Sequence, residues 1–201
     1  MTYTPPAFIS GILLAAGLST RMGEPKQLLP FGESTIVETV VDSMLGAKFD
    51  EVIVVVGHCA AEIQKQLGTR AIRTVFNADY REGMLTSAQT GVRALEASDA
   101  FALMLVDQPF ITSALIDQVI DAYVQTDKGI ALPSYNYRRG HPVLFHRRYA
   151  DGILALGAES GGVRVLFKEY GDDIHYVLVD TDRVLRDIDY REDYERALQE
   201  N

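Results

Sequence analysis

Apolar and polar positions alternate along the chain in blocks rather than residue by residue. Residues 8–15, 51–56 and 101–106 are apolar runs with almost no period-two alternation, the pattern expected of strands covered on both faces. Between them lie segments of helical character. Thr35-Ile36-Val37-Glu38 has the spacing of a capping box and predicts a helix running to about residue 47. Further helices are predicted over 60–67, 86–95 and 112–125, the last with Leu115, Val119, Ile120 and Tyr123 on one face. Short strands are expected at 74–76, 130–132 and 143–145, and a weakly alternating one at 174–179. Two short helices around 151–156 and 162–170 and a closing helix at 193–198 complete the reading. Strands alternating with helices predict an α/β protein, a three-layer sandwich around a mostly parallel sheet. With no internal repeat, linker or low-complexity stretch, residues 1–201 are expected to form one domain, with residues 1–7 disordered.

The first apolar run ends in Leu14-Ala15-Ala16-Gly17, where side chains nearly vanish, and Arg21 and Lys26 follow within ten residues. Ligands of α/β sheets bind outside the carboxyl ends of the strands. A small-residue turn there lets a ligand approach the backbone N–H groups, and two nearby cations suit a polyphosphate. Neither of two common phosphate loops fits. A Walker loop requires Gly-x-x-x-x-Gly-Lys-Ser/Thr and the dinucleotide fingerprint Gly-x-Gly-x-x-Gly, and neither follows this strand.

Composition narrows the function classes. The 201 residues are 47% apolar, enough for a sizeable core. No apolar run approaches the roughly 20 residues of a membrane span, and the first residues lack the pattern of a signal peptide. A single cysteine, Cys59, excludes an intrachain disulfide and agrees with a cytoplasmic location. The net charge of −9 opposes general nucleic-acid binding. It also means that a polyanionic substrate needs a local cationic pocket or a metal. The four histidines and the cysteine show no zinc spacing, and no Gly-x-Ser-x-Gly elbow is present.

Several carboxylates and turns carry candidate chemistry. Asp107 follows the run 101–106 and precedes Gln108-Pro109. At the end of a buried strand it faces the ligand crevice and suits a metal, the alternative being a cap for the helix near Thr112. Asp187 and Asp189 share one face if that segment is extended. They suit a second metal ligand, a bond to ligand hydroxyls, a cap on the last helix, or surface ion pairs. Gly83-Met84-Leu85-Thr86-Ser87 joins a turn to a helix start, where hydroxyls and free N–H groups suit a base or ribose. Arg138-Arg139-Gly140-His141-Pro142 is a basic turn able to hold anionic groups of a second substrate, or simply a solvated loop.

Taken together, these segments resemble the molybdenum cofactor nucleotidyltransferases. That family opens with Leu-Ala-Ala/Gly-Gly-x-Ser-x-Arg-Met-Gly-x-x-Lys. Here Leu14-Ala15-Ala16-Gly17, Ser19, Arg21-Met22-Gly23 and Lys26 match it, and Gln27-Leu28-Leu29-Pro30 is similar to the cytidine-using branch. Later segments resemble the family's Gly-Met-x-x-Ser-Leu (with Ala88 for Leu), Asp-Gln-Pro, Gly-His-Pro and Asp-Ile-Asp motifs. Two depart from pattern: Glu159-Ser160 replaces Gly-Asp before Gly162 and Arg164, and Tyr190-Arg191 replaces Thr-Pro after Asp189. The resemblance implies a Rossmann-like nucleotidyltransferase fold. It implies an enzyme that transfers CMP from CTP to the phosphate of molybdopterin cofactor, releasing pyrophosphate. Nucleotide contacts fall to Leu14, Ala15, Ala16, Gly17, Arg21, Lys26, Gly83 and Ser87, with the triphosphate on Arg21, Lys26 and the 15–17 amides. Arg21, Lys26 and Asp107 are the catalytic set. Mg²⁺ is assigned to Asp107 and Asp187, and the acceptor to Gly140, His141 and Arg164. Ala16, where guanosine-using relatives carry Gly, points to cytidine. A molybdoenzyme or its maturation chaperone is the implied recipient of the product, with no nucleic acid or membrane partner. Alternatives are a nucleotidyltransferase for a sugar or polyol phosphate, and a noncatalytic carrier of nucleotide or cofactor.

Overall fold

The structure, a computed structural model, describes residues 5–200; the expectation of disorder for the first residues lies, for 1–4, outside them. Ten strands occur in chain order among the described residues: β1 (Ile9–Leu14), β2 (Pro30–Phe31), β3 (Ser34–Thr35), β4 (Glu51–Val56), β5 (Arg73–Phe76), β6 (Ala100–Leu105), β7 (Ile130–Tyr135), β8 (Arg138–Arg139), β9 (Val143–His146) and β10 (Ile174–Leu178). Seven α-helices separate or follow them: α1 (Ile36–Leu45), α2 (Ala60–Leu67), α3 (Met84–Arg93), α4 (Ser113–Tyr123), α5 (Ala150–Ala155), α6 (Val165–Glu169) and α7 (Arg191–Glu200).

The main sheet has the order β5-β4-β1-β6-β9-β7-β10, with β8 paired to β7. Along this path every pair is parallel except those of β9, which runs antiparallel to β6 and β7. β1 is central and buried at all six positions, which explains its missing alternation. Alternate residues of its strands feed two separate cores. Leu13, Val54 and Met104 pack under α1, α2, α4 and α7, while Ile12, Val55 and Leu103 pack under α3, α5 and α6. The domain is thus the expected three-layer sandwich.

Local signals explain most element ends. Thr35 accepts from the Glu38 amide and Glu38 from the Thr35 amide, so the capping box starts α1 as predicted. Thr112, not Asp107, caps α4 by accepting from the Leu115 amide. β7 runs past its expected end at 132. Pro133 lacks a donor, yet its carbonyl still accepts from Gly140, and a turn at Asn136 and Tyr137, both with positive φ, folds the chain into β8. α6 starts at Val165 rather than near 162, because Gly161 and Gly162 adopt φ of +80° and +78°, outside helical space.

The register brings the functional turns together. Leu14 lies opposite Leu105 on one side and Val55 on the other. The chain leaves β1 toward β4 and later returns on its opposite side as β6, so the sheet switches direction between β1 and β6. That crevice, at the carboxyl ends of both strands, receives residues 15–26 and Asp107.

α3 sits directly on the sheet, and Gly91 lets it do so. A Cβ there would lie 2.4 Å from Ile12 Cγ2 and 3.1 Å from Val55 Cγ2. Gly91→Ala would gain about 1 kcal/mol of helix propensity but force overpacking that typically costs about 1–3 kcal/mol. We expect net destabilisation of up to about 2 kcal/mol by urea unfolding. An equal or higher midpoint would mean that α3 is free to lift from β1.

Candidate active site

The turn after β1 is built around Gln27, which is almost fully buried. Its amide donates to the carbonyls of Gly17 (2.8 Å) and Ala15 (3.3 Å). Ser19, held at φ +53°, donates to Gln27 Oε1 and accepts from the Lys26 amide. The loop therefore closes on itself and carries Arg21 and Lys26 over the crevice. The Ala15 amide donates to the Val55 carbonyl at 2.9 Å. This corrects the expectation that it serves a phosphate, because the sheet ladder uses it and the residue is fully buried. No hydrogen bond among the described residues engages the amides of Ala16 and Gly17.

Facing this turn, Ile188 donates its amide to the Asp107 carbonyl at 2.8 Å and so sets residues 187–189 beside the end of β6. Lys26 Nζ donates to Asp107 Oδ2 (2.7 Å), Asp189 Oδ1 (2.9 Å) and the Ile188 carbonyl (3.0 Å). Arg21 donates to Asp189 Oδ2 at 2.8 Å. Asp187 instead accepts from Gln108 Nε2 at 2.6 Å and makes no ion pair among the described residues. Asp107 Oδ1 and Gln108 Oε1 are buried without a hydrogen-bond partner. Burial works against the Lys26 charge, but the adjoining Asp107 and Asp189 outweigh it and raise its pKa. Burial likewise opposes ionisation of Asp189, and is overcome by Lys26 and Arg21, which lower its pKa. Asp187 goes the other way. Burial and then repulsion from Asp107 and Asp189 raise its pKa despite the Gln108 bond.

A cavity of about 410 Å³ opens over this cluster, walled by Leu14, Ala16, Gly17, Arg21, Lys26, Asp107 and Asp189 and by Gly83 and Ser87 from the start of α3. The sequence reading missed Gln27, Tyr80 and Arg81 in the same wall. It also missed Asn77, which is buried and donates to Thr86 and Ser87. Among these expected nucleotide contacts, Ser87 thus accepts from Asn77, and Ala15 stays out of the wall. Asp187 is not part of that wall, while Asp189 lines it.

A second cavity of about 560 Å³ adjoins the first and shares Leu14, Met84 and Leu105 with it. Gly140, His141 and Arg164 all line it, with Arg139 at the side and Phe145 and Phe167 forming an apolar surface. Gly140 passes so close to the chain at Val184 that a Cβ would lie 2.4 Å from the Val184 carbonyl oxygen. Burial, aided by Arg164, pushes His141 down to about 4, so its ring is neutral near pH 7 and offers hydrogen bonds rather than charge. No group of three His, Cys, Asp or Glu suited to a metal occurs among the described residues. No helix among them is long and apolar enough to cross a membrane.

Comparisons with known proteins agree with this geometry. The MobA-like NTP transferase domain matches residues 11–174. A molybdenum cofactor cytidylyltransferase of Escherichia coli K12 is 34% identical over 138 residues, covering 68% of this chain and 69% of that protein. A Paenarthrobacter nicotinovorans protein named nicotine blue oxidoreductase is 28% identical over 172 residues, covering 80% and 82%. The structure of Rv0371C from Mycobacterium tuberculosis in complex with manganese superimposes with a TM-score of 0.79 at 27% identity, covering 97% of this chain and 100% of that one. The match runs over most of the chain, from β1 to the start of β10, and includes all of the second cavity and all of the first but Asp189; the chain belongs to the MobA-like NTP transferase family as a nucleotidyltransferase.

Proposed function

We propose that this protein transfers CMP from CTP to the phosphate of molybdopterin cofactor. The observation that carries the reading is the pair of adjoining cavities. One holds Ala16, two cations and a carboxylate cluster, and the other holds Arg164, His141 and an aromatic wall. The first suits a nucleoside triphosphate. The second suits a planar heterocycle bearing a phosphate, with Phe167 toward the ring and Arg164 and Arg139 toward the anion. The cytidylyltransferase relative supports the choice of both substrates.

The reaction needs little from side chains beyond position and charge. The acceptor phosphate has a second pKa near 6 and is mostly ionised at neutral pH. Its oxygen attacks the α-phosphorus of CTP, the bond to the bridging oxygen of the β-phosphate breaks, and pyrophosphate leaves with that electron pair. Arg21, Lys26 and the Ala16 and Gly17 amides hold the departing β- and γ-phosphates. His141, being neutral, donates or accepts a hydrogen bond without adding charge, and Gly140 places it by packing on Val184. Gly83 and Ser87 border the space left for ribose and base.

Asp107 and Asp187 are the proposed Mg²⁺ ligands, and the donor set fits. Asp107 has a bare buried oxygen, and Asp187 lacks a paired cation where Asp189 has two. Two carboxylates suffice, because Mg²⁺ keeps waters and substrate phosphates as its other ligands. When bound, the ion neutralises charge on the α-phosphate and the acceptor. We place the protein in the cytoplasm, where a molybdoenzyme or its maturation chaperone would receive the product.

The decisive assay combines the protein, Mg²⁺, each of the four NTPs and candidate phosphate acceptors, scored by pyrophosphate release. Turnover only with a sugar or polyol phosphate would replace molybdopterin as acceptor. Binding without turnover for any acceptor would make the protein a carrier. Lys26→Ala should lower turnover by on the order of 10²-fold or more, the usual loss for an electrostatic stabiliser. Unchanged release at saturating CTP would remove Lys26 from the reaction.

Asp107→Asn should abolish Mg²⁺-dependent turnover while circular dichroism stays native. Asp187→Asn should be nearly as severe and Asp189→Asn milder, and the reverse order would assign the metal to Asp189.

Base choice gives a further prediction. Ala16 adds a methyl to the cavity wall where guanosine-using relatives carry Gly. One such group is worth only about 1–3 kcal/mol of discrimination, so other wall residues must contribute. CTP should be preferred over GTP in kcat/KM, and Ala16→Gly should narrow the difference without reversing it. A wild-type preference for GTP would overturn the cytidylyl assignment.

A further inference from the structure

A lysine ammonium has three N–H donors, and those of Lys26 are all taken, by Asp107, Asp189 and the Ile188 carbonyl. None remains for a phosphate oxygen. Arg21 is also drawn to a carboxylate, Asp189. On the far side of the Lys26 contact, Asp107 Oδ1 is buried and meets no donor. Asp107 is therefore half neutralised: one oxygen carries an ammonium and the other is bare. Both cations of the cluster are thus held by its carboxylates and are not free for a triphosphate.

We infer that Lys26 is the resting counter-ion of Asp107, and that a divalent cation arriving at Asp107 takes its place and turns the ammonium over to the polyphosphate. The inference rests on the proposed role of Asp107 as a metal ligand and adds an order of events to it. Lys26 is suited to the exchange, since its charge sits on a flexible four-carbon stem. The ion brings two positive charges where the ammonium brought one. It satisfies the bare Asp107 oxygen and adds positive charge toward the incoming nucleotide. Metal and lysine compete for the same carboxylate, but metal and triphosphate favour each other. Loss of the lysine charge must therefore act in opposite directions on the two ligands.

The test is a titration with Mn²⁺ alone at pH 8, read by the electron paramagnetic resonance of the free ion. It compares wild type with Lys26→Met, Lys26→Gln and Asp107→Asn, each checked by circular dichroism. Both lysine variants should bind Mn²⁺ on the order of tenfold more tightly than wild type, since a positive charge in contact with the ligand is removed. The same variants should bind CTP more weakly. Asp107→Asn should lose the site. Unchanged or weaker Mn²⁺ binding in both lysine variants, with the site still lost in Asp107→Asn, would overturn the exchange and leave the metal assignment standing. Unaltered Mn²⁺ binding in Asp107→Asn would remove the metal assignment and the exchange with it.

Discussion

Everything at the site depends on the parallel pairing of β1 with β6. Leu14 and Leu105 are opposite each other, so both strands stop at the same level and hand over to loops on the same edge of the sheet. The small residues at 15–17 and the carboxylate at 107 lie about ninety residues apart in sequence, yet the shared register makes them neighbours. Shifting β6 by one residue would turn its side chains to the opposite face, moving Met104 and Leu105 into the wrong cores. The hydrophobic pattern that fixes the fold thereby fixes the distance between Lys26 and Asp107. The chain also reaches back from its far end. Ile188 bonds to the Asp107 carbonyl, and Asp193 accepts from the amides of Asp189 and Tyr190 at the head of α7. Three distant stretches of sequence are clamped around one ammonium.

Much of this was legible in the sequence, because the legible parts are local. Capping of α1 by Thr35 and Glu38 needs four consecutive residues, and the buried strands need only their own apolar runs. The loop from Ser19 to Lys26 announces its charge and its small-residue approach. What could not be read were contacts between residues that do not share one element, whether some ten positions apart or most of the chain apart. Gln27 and Asn77 are polar and buried, a combination that composition alone assigns to the surface. Their partners are backbone carbonyls and hydroxyls brought in by the fold. The amide of Ala15 was misread for the same reason: nothing in the motif reveals that the β4 ladder extends one residue past β1 and uses that donor. Asp187 and Asp189 stand two residues apart in the sequence, and several roles are open to each. Only the positions of Gln108 and Lys26 show that one leans on an amide and the other on two cations.

Charge explains why such a site is needed at all. The chain carries a net charge of −9, and its substrates in the proposed reaction are anions. Long-range attraction cannot recruit them, and at physiological salt it would fade within about 8 Å in any case. Affinity must come from groups that touch the ligand. Free surface cations are poorly suited, because they would attract any anion. Cations held by carboxylates are selective: they respond only to a ligand that arrives with a compensating positive charge. A triphosphate complexed to a divalent ion has that character, and inorganic phosphate alone does not. The buried Asp107 oxygen that meets no donor is then a source of discrimination. In the proposed reaction, the positive charge that this oxygen lacks is supplied by the metal–nucleotide complex.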